Sequence, residues 1–272
     1  MRSEGPRAKA QGPRILRGAA ILLLIGGGAL AQDKSFGSGF FALAQDKKEA
    51  PKPAPKALFA APLSVKPGAT TRLLIRGLSL EQASEAKAAG ALEVKIKSKG
   101  KATVPANQEA GVYGDTQVEV EIKTAADASG ELELEIVTPA GRAPALKIPI
   151  ASAVAEKEPN GGFAQAQALE PGRIVEGAIG GAKDVDVFKL DAKAGETWTI
   201  EVTAARLGSP LDPVLMAHDA AGLQIAMADD SSAGRDPLLT LKIPADGVYY
   251  VSLIDAHDMG GPTHAYLLAA RR

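Results

Sequence analysis

Gln117-Val118-Glu119-Val120-Glu121-Ile122-Lys123 decides the fold. Val118, Val120 and Ile122 fall on one side, and Gln117, Glu119, Glu121 and Lys123 on the other. A period of two with one charged face is an antiparallel strand, one side in a core and one in water. Leu92-Glu-Val-Lys-Ile-Lys97 repeats the pattern, and so does Glu131–Val137 with Leu132, Leu134 and Ile136. Thr71–Arg76 reads as a shorter apolar strand. Pro67-Gly68, Asp127–Gly130 and Pro139–Arg142 are turn signals between such runs. Ser79 is placed to cap a short helix through Ala89, with Glu81 and Gln82 in its first turn. Short strands at this spacing predict an immunoglobulin-like β-sandwich over residues 58–151.

The charged faces have a structural reading. Lys95, Lys97, Lys99 and Lys101 form a basic comb; Glu119, Glu121, Glu131, Glu133 and Glu135 form an acidic one. Cross-strand pairing on a solvated sheet face, with protection of the sheet edges, accounts for both better than a polymer-binding face.

The totals exclude several function classes. The chain has 272 residues, enough for two domains of ordinary size. Hydrophobic residues make up 46% but aromatics only 4%, so the cores are built mainly of Ala, Leu, Val and Ile. A formal net charge of -1 offers no field for nucleic acid or an anionic membrane. The absence of cysteine excludes disulfides, Cys-ligated zinc, thiol nucleophiles and a lipid-modified N-terminal cysteine.

Arg2, Arg7, Lys9, Arg14 and Arg17 precede the apolar run Ile21-Leu-Leu-Leu-Ile25. Small residues follow at Ala29-Leu30-Ala31 and again at Ala42-Leu43-Ala44. This is a secretory signal pattern, with cleavage after residue 31 or as late as 44. The run is too short for a span, so no stable membrane insertion is expected after cleavage. Residues 45–57 then read as a disordered Pro/Lys/Ala spacer. The expected location is outside the cell or in the periplasm and envelope.

From about residue 155 to the end the order of motifs is informative. Glu156-Lys-Glu-Pro-Asn160 is followed by Val175-Glu-Gly-Ala-Ile179 and Asp184-Val-Asp-Val-Phe-Lys-Leu190. Next come Ala194-Gly-Glu-Thr-Trp-Thr-Ile200, Leu211-Asp-Pro-Val-Leu215, Asp219-Ala-Ala-Gly222 and Asp229-Asp230. Ala245-Asp-Gly-Val-Tyr-Tyr-Val251 and Tyr266-Leu-Leu268 close the series. That order resembles the bacterial pre-peptidase C-terminal domain family, whose members are jelly-roll-like β-sandwiches appended to exported peptidases and other enzymes. In the first half, Pro62–Leu80 resembles the start of immunoglobulin-like modules of bacterial exported proteins. The expected fold is therefore all-β: two sandwiches, immunoglobulin-like at 58–151 and jelly-roll-like at 155–272. Trp198 is read as core. Alternation turns one of Tyr249 and Tyr250 inward and the other outward.

Calcium is the site chemistry that the residues favour. A hard cation takes six to eight oxygens, carboxylates supplemented by amides and carbonyls. Glu156, Glu158 and Asn160 offer side-chain oxygens at alternate positions of one extended segment, and Asp184 and Asp186 do the same at a strand start. The resemblance implies the same site, because collagen-binding modules of bacterial collagenases hold calcium with such a segment. Gly161 departs from the family, where Asp is frequent. The competing reading makes Glu156 and Glu158 linker carboxylates and the Asp pair strand-end caps. Asp229-Asp-Ser-Ser232 reads as a solvated hairpin loop.

Catalytic readings lack support. The sequence has three histidines and no HExxH, GxSxG, Walker loop or GxGxxG. Asp255-Ala-His257-Asp258 has no nucleophile elbow to serve and reads as a polar loop. The expected function is an exported, non-catalytic binding or accessory protein contacting extracellular protein or polysaccharide. A peptidase-associated protein and a structural envelope protein are the alternatives.

Overall fold

The computed structural model describes residues 53–232 and 234–272. The signal-like region, both small-x-small sites and most of the spacer lie outside the described residues. Ala50–Arg272 forms one compact unit. Among the described residues, no helix is long and apolar enough to cross a membrane.

The chain is all-β. Its first half runs through β1 (Lys56–Ala61), β2 (Thr70–Leu78), β3 (Glu85–Ala89), β4 (Glu93–Lys101) and a single turn, α1 (Ala110–Tyr113). β5 (Thr116–Lys123), β6 (Glu131–Thr138), β7 (Gly141–Arg142) and β8 (Leu146–Pro149) follow. One sheet has the order β1-β2-β5-β4; the other is β3-β6-β7, with β8 also on β6. Leu73 and Ile75, Val118, Val120 and Ile122, and Leu132, Leu134 and Ile136 are buried in one core between them. The alternation on β5 and β6 is thus the sandwich's inside and outside.

The second half begins with β9 (Val154–Ala155), β10 (Gln167–Ala168), β11 (Ile174–Ala178), β12 (Asp186–Ala192) and β13 (Thr197–Thr203). β14 (Pro213–His218), β15 (Gln224–Ala228), β16 (Leu238–Lys242), β17 (Gly247–Asp255) and β18 (Ala265–Arg271) complete it. The sheets are β10-β12-β17-β14-β15 and β16-β13-β18-β11-β9. Their shared core holds Phe188, Trp198, Val251, Tyr266 and Leu268. Trp198 is core, as its sequence context indicates. Tyr249 points inward, and its hydroxyl donates to Ala245 O at 2.9 Å. Tyr250 points outward, its ring stacked on Phe163 at 4.5 Å.

Three local expectations are corrected. The stretch after Ser79 is not a helix: Ser79 takes φ 56°, and Glu85–Ala89 is strand β3. Its Ala86 and Ala88 sit opposite Ile136 and Leu134 of β6 and pack on the core. Ala, Glu and Lys favour helix locally, and sheet pairing with a distant strand overrides that preference. The spacer also ends sooner than expected, because Lys56 and Ala57 already belong to β1 and Ala57 is buried. Finally, neither charged comb is continuous. A bulge after Ile96 breaks the lysine row, so Lys99 turns to donate to Ala83 O. Glu119 and Glu121 lie on one sheet and Glu131, Glu133 and Glu135 on the other. Several are paired across strands, Arg72 with Glu119 at 3.3 Å and Glu121 at 3.0 Å, and Arg142 with Glu135 at 3.1 Å.

The two cores are joined by a small third one. Leu63 packs with Ala265 and Leu267, flanked by Ile174 and Leu207. Beside it the Ser64 N–H and hydroxyl donate to the Glu176 carboxylate at 2.9 and 2.8 Å. The Tyr113 hydroxyl meets His264 Nε2 at 3.2 Å in buried surroundings. Burial lowers the His264 pKa, and the charge of Asp255 only partly opposes this. A base whose folded pKa is lowered binds its proton better in the unfolded chain. Its stabilising contribution is complete above the ordinary value of about 6.5 and is lost as pH falls below it. The stability advantage of wild type over His264→Gln, followed by urea unfolding, should therefore shrink between about pH 7 and pH 5. An advantage that stays constant or widens contradicts this placement.

Candidate metal centre

β9 and β11 run parallel, and Glu156 continues that pairing through its N–H to Glu176 O at 2.9 Å. From there Glu156 and Glu158 reach toward Asp186 at the start of β12, and beyond the cis Glu158–Pro159 peptide Asn160 turns back onto both carboxylates. Glu156 Oε2 accepts the Ala178 N–H at 3.0 Å. Glu156 Oε1 accepts from Asn160 Nδ2 at 2.7 Å and from the Tyr266 hydroxyl at 2.6 Å. Glu158 Oε2 accepts the Asn160 N–H at 2.8 Å. Asn160 O accepts the Val187 N–H at 3.0 Å, which ties the segment to β12.

Asp186, the first residue of β12, has no exposed surface. Its Oδ2 contacts the Tyr266 hydroxyl at 2.8 Å. One carboxylate oxygen from each of Glu156, Glu158 and Asp186 lies within 4.8 Å of the others. Two oxygens here are buried and have no hydrogen-bond partner among the described residues, Asp186 Oδ1 and Asn160 Oδ1. Both belong to residues with no exposed surface.

The electrostatics follow from that crowding. Burial, then the hydrogen-bonded and charged Glu156 beside it, push the Asp186 pKa up to about 9. The Tyr266 hydroxyl pKa is raised by burial and by the same two carboxylates. A phenol has one proton, yet Tyr266 touches a carboxylate oxygen on each side. It can donate to only one of them, and a protonated Asp186 can donate back to it. The raised pKa of Asp186 favours its protonated form in this contact.

Four of the five residues singled out in the sequence come together: Glu156, Glu158, Asn160 and Asp186. Asp184 does not join them. Its oxygens accept the N–H groups of Gly180 at 2.7 Å and Val185 at 3.0 Å, and it acts on Asp186 through its charge alone. Tyr266 and Gly177 are the participants that the sequence reading missed. Tyr266 had a signal, as the one side chain with a polar tip in the apolar run Ala265–Ala270. A Cβ on Gly177 would lie 2.3 Å from Glu156 Oε2 and 2.7 Å from the Tyr266 hydroxyl, so only glycine leaves this space. A Cβ at Gly161 would come no closer than 3.4 Å to Val185 O, so the missing acid there is a loss of charge rather than of room.

The loop 255–259 is a structural loop. Asp255 Oδ1 accepts the His257 and Met259 N–H groups, both at 2.9 Å, and its Oδ2 accepts the Asp212 N–H at 3.0 Å. The exposed His257 ring lies 3.5 Å from Asp212.

Fold and cluster together define a β-sandwich module with a group of acidic side chains gathered on a buried tyrosine beside its entering segment. Residues 184–254 match the family described as bacterial pre-peptidase C-terminal domain, within the stretch whose ordered motifs carry that resemblance. A probable subtilase-type serine protease of Deinococcus radiodurans is 37% identical over 99 residues, which cover 35% of this chain and 14% of that protein. The pre-peptidase C-terminal domain of a Bacillus anthracis collagenase aligns over 43% of this chain and 100% of its own, at 14% identity and a TM-score of 0.33. A Bacteroides ovatus protein, solved with a mixed-linkage heptasaccharide, aligns over 81% of this chain and 77% of its own, at 8% identity and a TM-score of 0.26.

Gly177→Ala should destabilise the chain by about 1–3 kcal/mol, the usual range for forcing atoms into filled space. In a Glu156→Ala background the same change should cost clearly less, because the clashing carboxylate is gone. Equal costs in both backgrounds, read by urea unfolding, would place the strain elsewhere.

Proposed function

We propose that this chain is an exported, non-catalytic accessory module that works by surface contact with extracellular protein or polysaccharide, and that calcium completes its second sandwich. The signal-like N-terminus supports export. The 99-residue likeness to a small part of a much longer protease supports an appended module, since that length is one domain. The first sandwich is read as immunoglobulin-like and the second as jelly-roll-like.

The observation that carries the calcium reading is the pair of buried, unpartnered oxygens on Asp186 and Asn160 beside two further carboxylates. A buried polar atom without a partner is costly, and most such atoms are satisfied. The donors are all oxygens, three carboxylates and one amide, which suits a hard cation and not a soft one. Glu156, Glu158, Asn160 and Asp186 would hold the ion; Asp184 adds negative potential from the turn before β12. Calcium would supply charge to a site that otherwise keeps a proton. The chain's own groups do the positioning: Ala178 N–H and Tyr266 orient Glu156, and Asn160 fastens the segment to β12.

Thermal and urea unfolding with calcium or with a chelator tests this. An ion binding only the folded state at a hundred times its dissociation constant adds about 2.7 kcal/mol. Asp186→Asn keeps the shape of the protonated carboxyl, so it should fold as well as wild type in chelator and lose the calcium gain. No gain for wild type at millimolar calcium, or an undiminished gain in Asp186→Asn, overturns the reading.

A further inference from the structure

Beside the acidic cluster, on the other side of the same segment, lies a groove with the opposite charge. It is an open cavity of 580 Å³ where β9 and β10, the edge strands of the two sheets, pass one another. Lys66, Lys157 and Arg173 line it, with Glu170 as the single lining carboxylate. Glu170 lies 3.5 Å from Arg173. Among the described residues, neither Lys66 nor Lys157 has an ion-pair partner within 4.0 Å; the nearby buried Glu176 carboxylate feels the Lys66 charge. Chain alternation explains the contrast, because Lys157 stands between Glu156 and Glu158 and its side chain leaves by the opposite face. Two surplus positive charges in one groove are a local feature of a chain whose net charge is -1.

We propose that this groove binds a polyanionic polysaccharide through its carboxylate or sulfate groups. This names a ligand class for the surface-contact reading above, on which it rests, and it does not depend on calcium. Three observations select the class. The cations line an open groove, which suits a chain carrying repeated negative charges. No aromatic side chain lines it, so it offers no stacking face for a neutral sugar. An added acidic peptide strand would need free backbone groups at the edge, and Gln167 already takes them. Its Oε1 accepts the Lys157 N–H at 2.8 Å and its Nε2 donates to Ala155 O at 3.3 Å.

Affinity electrophoresis of the chain at low salt in chelator tests the proposal, in gels carrying heparin, polygalacturonate, dextran or poly-glutamate. Retardation is expected with heparin or polygalacturonate, and which of the two is stronger separates sulfate from carboxylate recognition. Dextran and poly-glutamate should retard it little. Lys157→Gln/Arg173→Gln should weaken the retardation at least about tenfold, as expected for two cations facing a polyanion. Lys157→Arg, and the equal charge loss Lys95→Gln/Lys97→Gln on a distant sheet face, should leave it in place. No retardation by either polyanionic polysaccharide overturns the proposal. So does equal retardation of the groove variant and wild type, or equal retardation by poly-glutamate. Because the gels contain chelator, failure here is separate from failure of the calcium reading.

Discussion

Asp186 is a carboxyl group without exposed surface, placed against Tyr266 and next to Glu156. Burying one carboxylate beside another is tolerated only if a proton or a cation neutralises them. That constraint organises the second sandwich around its entry. β12 must begin at Asp186, β18 must bring Tyr266 to it, and residue 177 of β11 must be glycine so that both fit. The segment 156–160 is folded onto these strands by hydrogen bonds to Ala178, Tyr266 and Val187.

The same stretch of β11 reaches the first sandwich. Glu176 accepts the Glu156 N–H with its backbone and both Ser64 donors with its side chain. Burial raises the Glu176 pKa, and the two Ser64 hydrogen bonds work in the opposite direction. Ser64 thus satisfies both oxygens of the buried Glu176 carboxyl at the junction. A cation held one residue beyond the ladder, at Glu156, would act on a segment already fixed to both cores. The segment is therefore a strut with a chemical group on each face, carboxylates toward the sandwich and Lys157 toward the groove.

Much of this was legible in local spacing. The period of two in residues 117–123 and 131–137 gave the sheet faces, because alternation is a property of neighbouring residues. Glu156, Glu158 and Asn160 were found together for the same reason. Tyr266 was missed as a site residue because its partners are 80 and 110 positions away. Gly177 was missed because its role is to leave space for atoms that sequence spacing does not locate. The stretch 79–89 was misread because its helix-favouring residues are held as a strand by β6, a long-range pairing. Asp184 was grouped with Asp186 on spacing alone, while its oxygens cap the turn before the strand.

The role proposed for Asp186 and Asn160 is to keep an oxygen each for a cation. A crystal structure grown in calcium tests this most directly. An anomalous calcium peak is expected about 2.3–2.6 Å from Asp186 Oδ1 and Asn160 Oδ1, with Glu156 and Glu158 among its ligands. A structure at saturating calcium with no peak there, and with the hydrogen bond from Tyr266 to Asp186 unchanged, would contradict that role.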